Sequence, residues 1–148
     1  LAAAYITPDV AASFWDGTNL SELYAYDRGH YFSLAAISSI ASVLKALLFY
    51  VILRLFTDKA LSMEKPFTSL LVRSILRVTY LSVGIGFFCH YGVGYSAGLV
   101  EKGVKRPDTS ALYLDGADVW LLMAMVLFVI AQVIRRGVEM QEENELTV

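Results

Sequence analysis

Apolar positions along this chain gather into three long runs separated by polar connections: Tyr31–Leu53, Val78–Val100 and Val119–Ile134. The first reads YFSLAAISSIASVLKALLFYVIL, with Lys45 as its single charge. The second has no Asp, Glu, Lys or Arg over its whole length. Crossing the hydrocarbon core of a bilayer takes about 20 predominantly apolar helical residues. The third run is short for that, but its flanking Asp118 and Arg135 can reach the interface. A soluble bundle shows charged or polar stripes at helical period, and Val78–Val100 has no charged one. The pattern predicts an all-α integral membrane helical bundle, a single membrane domain. Its transmembrane helices are expected over 31–55, 69–92 and 117–136, with an outer segment over 1–30 and an acidic tail over 137–148.

Composition sharpens that class. The 148 residues are 57% hydrophobic and 18% charged, with a mean hydropathy of +0.56. Soluble domains run at about 45–50% apolar and about 25% charged. The single cysteine, Cys89, excludes an intrachain disulfide and gives no metal-site spacing. The chain begins with Leu, and Leu1–Ile6 reads as the stub of an earlier span or of a cleaved signal. An earlier span would make the bundle four-helical, with both ends on one side.

Charge placement sets an orientation. The connection from Arg54 to Arg77 holds Arg54, Lys59, Lys65, Arg73 and Arg77 against Asp58 and Glu64. Arg135 and Arg136 follow the last span. Basic residues near span ends mark the cytoplasmic side, so both regions are expected inside. Residues 1–32 carry Asp9, Asp16, Glu22 and Asp27 against Arg28, and the Gly92–Asp118 connection is also slightly acidic. Both are expected outside. Trp15, Tyr24, Tyr26, Tyr31, Tyr91, Tyr95, Tyr113 and Trp120 lie on or near those outer ends, where amphipathic rings favour the headgroup level.

Small residues suggest how the spans pack, because lipid gives helices little hydrophobic reason to associate. Ala35 with Ser39, the series Ser38, Ser42 and Ala46, and the pair Ser82 and Gly86 recur at i,i+4. These stripes are expected to face neighbouring helices or a second copy, with serines hydrogen-bonding across the seam. Thr68 or Ser69, just after Pro66, is the expected N-cap of the second span. The cluster Gly92, Gly94 and Gly98 is expected to end it.

Candidate chemistry is sparse. A lysine near the bilayer centre costs about 2.5–3.5 kcal/mol on insertion scales and often carries function. Lys45 has no carboxylate at similar depth in the apolar runs, so it either snorkels or is held by a polar cavity or a partner subunit. His30 and His90 lie at the outer ends of successive spans and could meet; two histidines can bind zinc or ligate haem. Histidines that hydrogen-bond locally are the commoner case, and no metal or cofactor is called for. No nucleophile–base pair, GxSxG, HExxH or phosphate loop is readable, so the chain is expected to be no enzyme. The basic connection is too small for nucleic acid and suits anionic lipid headgroups instead. Arg73, Arg77, Arg135, Arg136, Glu139, Glu142, Glu143 and Glu145 are candidate contacts for a protein partner. The glutamates fall at a helix C-terminus, where negative charge is unfavourable, so the basic residues of the Arg54–Arg77 connection are the expected compensation.

Two stretches carry a family resemblance. One is Glu64-Lys65-Pro66-Phe67-Thr68, followed by Val72-Arg73 and Leu76-Arg77 at the start of a span. The other is the ending RRGVEMQEENELTV from Arg135 to Val148. Together they resemble a family of small bacterial inner-membrane proteins catalogued as domain of unknown function 2975. Its members look like four-span proteins with a PFT-like cytoplasmic turn and an RRGxELQEENDLTV-like tail. This sequence departs in having no full first span and no Asn shortly after Phe67-Thr68. The resemblance implies no activity, catalytic residue or cofactor. Members are often encoded beside a small helix-turn-helix regulator, which suggests a membrane-linked regulatory or accessory role. The competing readings are a small transporter or channel-like subunit using Lys45 in a polar path, and a redox or metal-binding subunit using His30 and His90.

Overall fold

A computed structural model of the protein describes residues 20–57, 68–103 and 107–146. Leu1–Ile6, Asp9, Trp15, Asp16, Asp58, Lys59, Glu64–Phe67, Lys105, Arg106, Thr147 and Val148 lie outside the described residues, as do the side chains of Glu22 and Glu145. Among the described residues four helices follow one another: α1 (Ser21–Tyr26), α2 (Arg28–Thr57), α3 (Ser69–Glu101) and α4 (Ala117–Leu146). Among the described residues there is no strand. The protein is an all-α bundle, and α2, α3 and α4 are each long and apolar enough to cross a membrane.

Helix starts follow local chemistry. Thr68 has extended backbone (φ −127°, ψ 147°), and its Oγ1 accepts a hydrogen bond from Leu71 N at 3.2 Å. That satisfies one of the amides a helix start leaves without a partner. At the start of α2, a cap not named from sequence although aspartate is a favoured N-cap residue, Asp27 Oδ1 accepts from Gly29 N at 2.6 Å and from His30 N at 3.4 Å. The same residue ends α1 in extended conformation, so one aspartate turns the chain between two helices.

The glycine cluster does not end α3. The helix runs through Gly92, Gly94 and Gly98 to Glu101, and Lys102 and Gly103 close it, Gly103 at φ 82°. Glycine weakens a helix interior by roughly 1 kcal/mol but does not forbid it. At Gly92 the missing side chain has a use: a Cβ there would lie 2.8 Å from Leu114 Cδ1. α4 likewise extends past Arg136, carrying the acidic tail in helical form to Leu146.

α3 is the central element. α2 packs along one side of it, α4 along another, and α1 lies on α2. Among the described residues α2 and α4 do not approach each other's backbone closely. Burial follows that order: 44% of the apolar window of α3 is covered, 22% of α2 and 11% of α4. The faces left open carry Phe49, Leu53, Phe87, Leu122, Met125, Val129 and Val133, an extent of exposed apolar surface that suits lipid and not water.

The tightest core lies at one end of the bundle, hereafter the loop end, around Tyr31, Leu34, Ile85, Cys89, Leu99, Leu112 and Leu114. The other, basic end carries Arg54, Arg73, Arg77 and Arg135. Small residues contribute unevenly. Ala35, Ser38, Ser82 and Gly86 are buried, but Ser42 and Ala46 are exposed, so that stripe drifts off the seam. Ser82 Oγ donates to its own helix at Val78 O (2.8 Å) and does not reach across. Tyr31 is no interface residue either: it is fully buried, edge-on to Tyr24 and Phe32 at 5.3 Å.

Candidate functional site

The connection before α4 folds back against the helices. Asp108 Oδ1 accepts from Ser110 N at 3.0 Å and Ala111 N at 3.4 Å, the local turn that aspartate favours. Backbone bonds Tyr113 N to Ser110 O and Leu114 N to Thr109 O, both 3.0 Å, tighten it. Ser110 Oγ also donates to the Asp115 carboxylate. The compact turn drives Leu112 and Leu114 into the core with no exposed surface. Leu114 rests on Gly92 of α3, and the buried Ser38 Oγ of α2 donates to Leu112 O at 2.8 Å.

Lys45 completes the dock. Its Nζ donates to Tyr113 O at 2.5 Å and lies 5.6 Å from the Trp120 ring centroid. Tyr113 has φ 57°, a left-handed backbone that costs a bulky residue on the order of 1–2 kcal/mol. That conformation turns its carbonyl toward the ammonium and toward Cys89 Sγ, 4.0 Å away. The lysine's partner is therefore a main-chain carbonyl and an aromatic face, not a carboxylate. Trp120 belongs to the first turn of α4, so the ammonium lies level with the start of the third apolar helix. The sequence placed it near the middle of a span. Lys45 does stand mid-way along α2; counting along α2 alone does not show that the start of α4 lies beside it.

His30 and His90 do come together. They line one groove of about 460 Å³ with Tyr91, Gly94, Tyr95 and Lys102. His30 Nδ1 is 2.6 Å from Tyr95 Oη, and its Nε2 is 3.4 Å from Lys102 Nζ. An ammonium can only donate, so Nε2 accepts from Lys102 and Nδ1–H donates to Tyr95. Both ring nitrogens are thus engaged. Phe87, Tyr91 and Tyr95 form a ladder along α3, with centroids 6.4 and 6.3 Å apart. Cys89 points away from the groove into the core. Among the described residues no three His, Cys, Asp or Glu side chains gather as a metal site.

At the basic end the candidate partner residues separate. Arg135 Nε pairs with Glu139 Oε1 at 3.3 Å within α4, and Arg73 lines a cleft with both. Arg77 instead shares a cleft with Arg54. Arg136, Glu142 and Glu143 are exposed. The first compensation for the acidic tail is therefore a residue of its own helix, with Arg73 beside it.

A family profile described as "Protein of unknown function (DUF2975)" matches residues 2–148. The chain belongs to the DUF2975 family. No curated protein and no solved structure matches it. The match runs through all four described helices of this DUF2975 protein, well beyond the tail and turn that carried the resemblance in sequence. What sequence reasoning missed in this DUF2975 protein is mostly backbone: the carbonyls of Leu112 and Tyr113 have no signature in residue type. The one available signal was the turn chemistry of Asp108, Ser110, Asp115 and Gly116, which marks a compact loop but not where it docks.

Proposed function

We propose that this DUF2975 protein is a non-enzymatic, multi-pass membrane protein acting as a regulatory or accessory subunit in the bacterial inner membrane. Its basic end and C-terminus face the cytoplasm, as the excess of arginine there favours. Support for the membrane comes from the three long apolar helices and their open faces. The observation that carries the regulatory reading is the bond from Lys45 to Tyr113 O. It uses the one charge within an apolar run to fasten a polar loop onto the helices. A loop held by two buried leucines and a few polar bonds is an element whose docking a signal or a partner chain can bias. The helical tail and basic residues at the opposite end are the contact for that partner.

The competing reading, a transporter using Lys45 in a polar path, is weakened by the same bond, since the ammonium is committed to the loop. The redox reading is weakened by His30, whose two nitrogens already have partners. The test is Lys45→Met in the native membrane and in liposomes. On the regulatory reading the variant inserts normally, exposes the 107–116 loop to amide exchange, and loses a partner that co-purifies stoichiometrically with the wild type. Solute or ion flux through liposomes of the pure wild-type protein, abolished by Lys45→Met, would assign transport instead.

A further inference from the structure

At the basic end α2 and α3 enclose a cleft of about 330 Å³, within the size range of small-ligand sites, about 300–1,000 Å³. Tyr50 and Arg54 enter it from α2, Ser74 and Arg77 from α3, with Val51 and Leu70 as apolar wall. Residues three and four apart share a helix face, so each helix presents one hydroxyl and one guanidinium to the same space. Thr79 and Ser82 bond back to Ile75 O and Val78 O, whereas the half-buried Ser74 hydroxyl has no partner among the described residues. Arg77 likewise has no ion pair there.

We propose that this cleft binds the phosphodiester headgroup of an anionic glycerophospholipid. The guanidinium fork matches phosphate oxygens two at a time, and the hydroxyls of Ser74 and Tyr50 can donate to those remaining. Arg54 is in the last turn of α2, so the cleft opens where an apolar helix ends, the level of a headgroup. Val51 and Leu70 then line the path an acyl chain takes along the α2–α3 seam. Basic pockets between helices at such a level suit anionic lipid. The neighbouring cleft on α3, about 390 Å³ and lined by Arg73 and Arg135, already holds the Glu139 carboxylate, so an anion there meets repulsion. The proposal is independent of the regulatory reading, because it needs neither a partner nor a moving loop.

The experiment uses the full chain in mild detergent, titrated with phosphatidylglycerol or phosphatidylcholine and read by native mass spectrometry. The wild type prefers phosphatidylglycerol by about tenfold or more, the size expected of one charge-assisted contact, and the preference shrinks as salt rises. Arg77→Gln lowers phosphatidylglycerol affinity about tenfold. Ser74→Ala lowers it severalfold, and Arg77→Lys recovers only part of the loss. Arg28→Gln removes the same charge at the loop end, where Arg28 lies 5.3 Å from the Tyr24 ring, and leaves the affinity unchanged. Equal binding of the two lipids overturns the proposal, as does an Arg77→Gln protein that binds like the wild type. Inorganic phosphate that displaces the lipid at millimolar concentration reassigns the cleft to a soluble anion and also overturns it. If Arg77→Gln unfolds, Arg77→Lys and the salt dependence of the wild type decide between these outcomes.

Discussion

Replacing Gly92 by alanine should act oppositely to the same change two residues later. An added Cβ at Gly92 lies 2.8 Å from Leu114 Cδ1 and 3.1 Å from both Leu114 Cδ2 and Ile37 Cγ2. Leu114 has no exposed surface and Ile37 is 8% exposed, so neither has space to swing into. Either the 107–116 loop lifts or α2 moves off α3. Overpacking of this kind costs about 1–3 kcal/mol, offset by about 1 kcal/mol of helix propensity gained from Gly to Ala. The net is a destabilisation of roughly 0–2 kcal/mol, concentrated in the loop. At Gly94 and Gly98 nothing lies within 4 Å of the added Cβ, so the propensity gain stands alone and stabilises by up to about 1 kcal/mol. Unfolding of each variant in detergent, followed by circular dichroism, gives the sign. Cys89 gives the location, since its buried Sγ rests 4.0 Å from Tyr113 O. Gly92→Ala should speed its reaction with a maleimide, and Gly94→Ala should not. A stability change of the same sign at both positions refutes the reasoning, as does a Gly92→Ala protein that is destabilised while Cys89 stays as protected as in the wild type.

Two further substitutions test the frame around that loop. Ser38→Ala leaves the fully buried Leu112 carbonyl without its 2.8 Å donor, and should cost about 1–3 kcal/mol, seen as faster amide exchange across 107–116 with little change in α4. Thr68→Ala removes the cap on Leu71 N and should cost about 1 kcal/mol, confined to fraying of the first turn of α3 and measurable as exchange at Leu71.

The elements that could be read from sequence were those set by local chemistry. The charge-free stretch inside α3 and the single-charge stretch inside α2 announce apolar helices because hydrocarbon tolerates little else. Thr68 announces its cap, with Ser69 as the alternative, because a hydroxyl just after Pro66 can accept from a first-turn amide. The ends of α3 and α4 were less legible. Gly94 and Gly98 stay inside α3 with nothing within 4 Å of an added Cβ, so glycine alone does not end a helix, and at Gly92 the close approach of Leu114 gives the residue a packing reason. The acidic tail reads as a poor helix end, yet Arg135 one turn before Glu139 supplies a local partner. His30 and His90 were foreseeable as neighbours from antiparallel spans, but not the hydrogen bonds through which His30 joins Tyr95 and Lys102. Tyr31 was misread because an aromatic ring near a span end suits an interface and a core equally well.

The depth of Lys45 decides how these parts fit a bilayer. α4 offers one slab: from Asp118 to Arg135 is roughly 26 Å at the helical rise, close to the hydrocarbon thickness of about 30 Å. Lys45 lies beside the first turn of that stretch, where Trp120 and the Tyr113 carbonyl receive its ammonium. Along α2 it stands only roughly 14 Å from Arg54, but the two long side chains can reach outward in opposite directions. Beyond Lys45, α2 continues for roughly 26 Å to Arg28, and α3 continues for roughly 22 Å past Gly86, the residue that α4 touches at Ala117 and Leu121. Those lengths exceed what the third span covers. With a main-chain carbonyl and an aromatic face to receive its ammonium, Lys45 costs far less than a bare lysine in hydrocarbon, and it ties α2 to the point where α4 begins to pack.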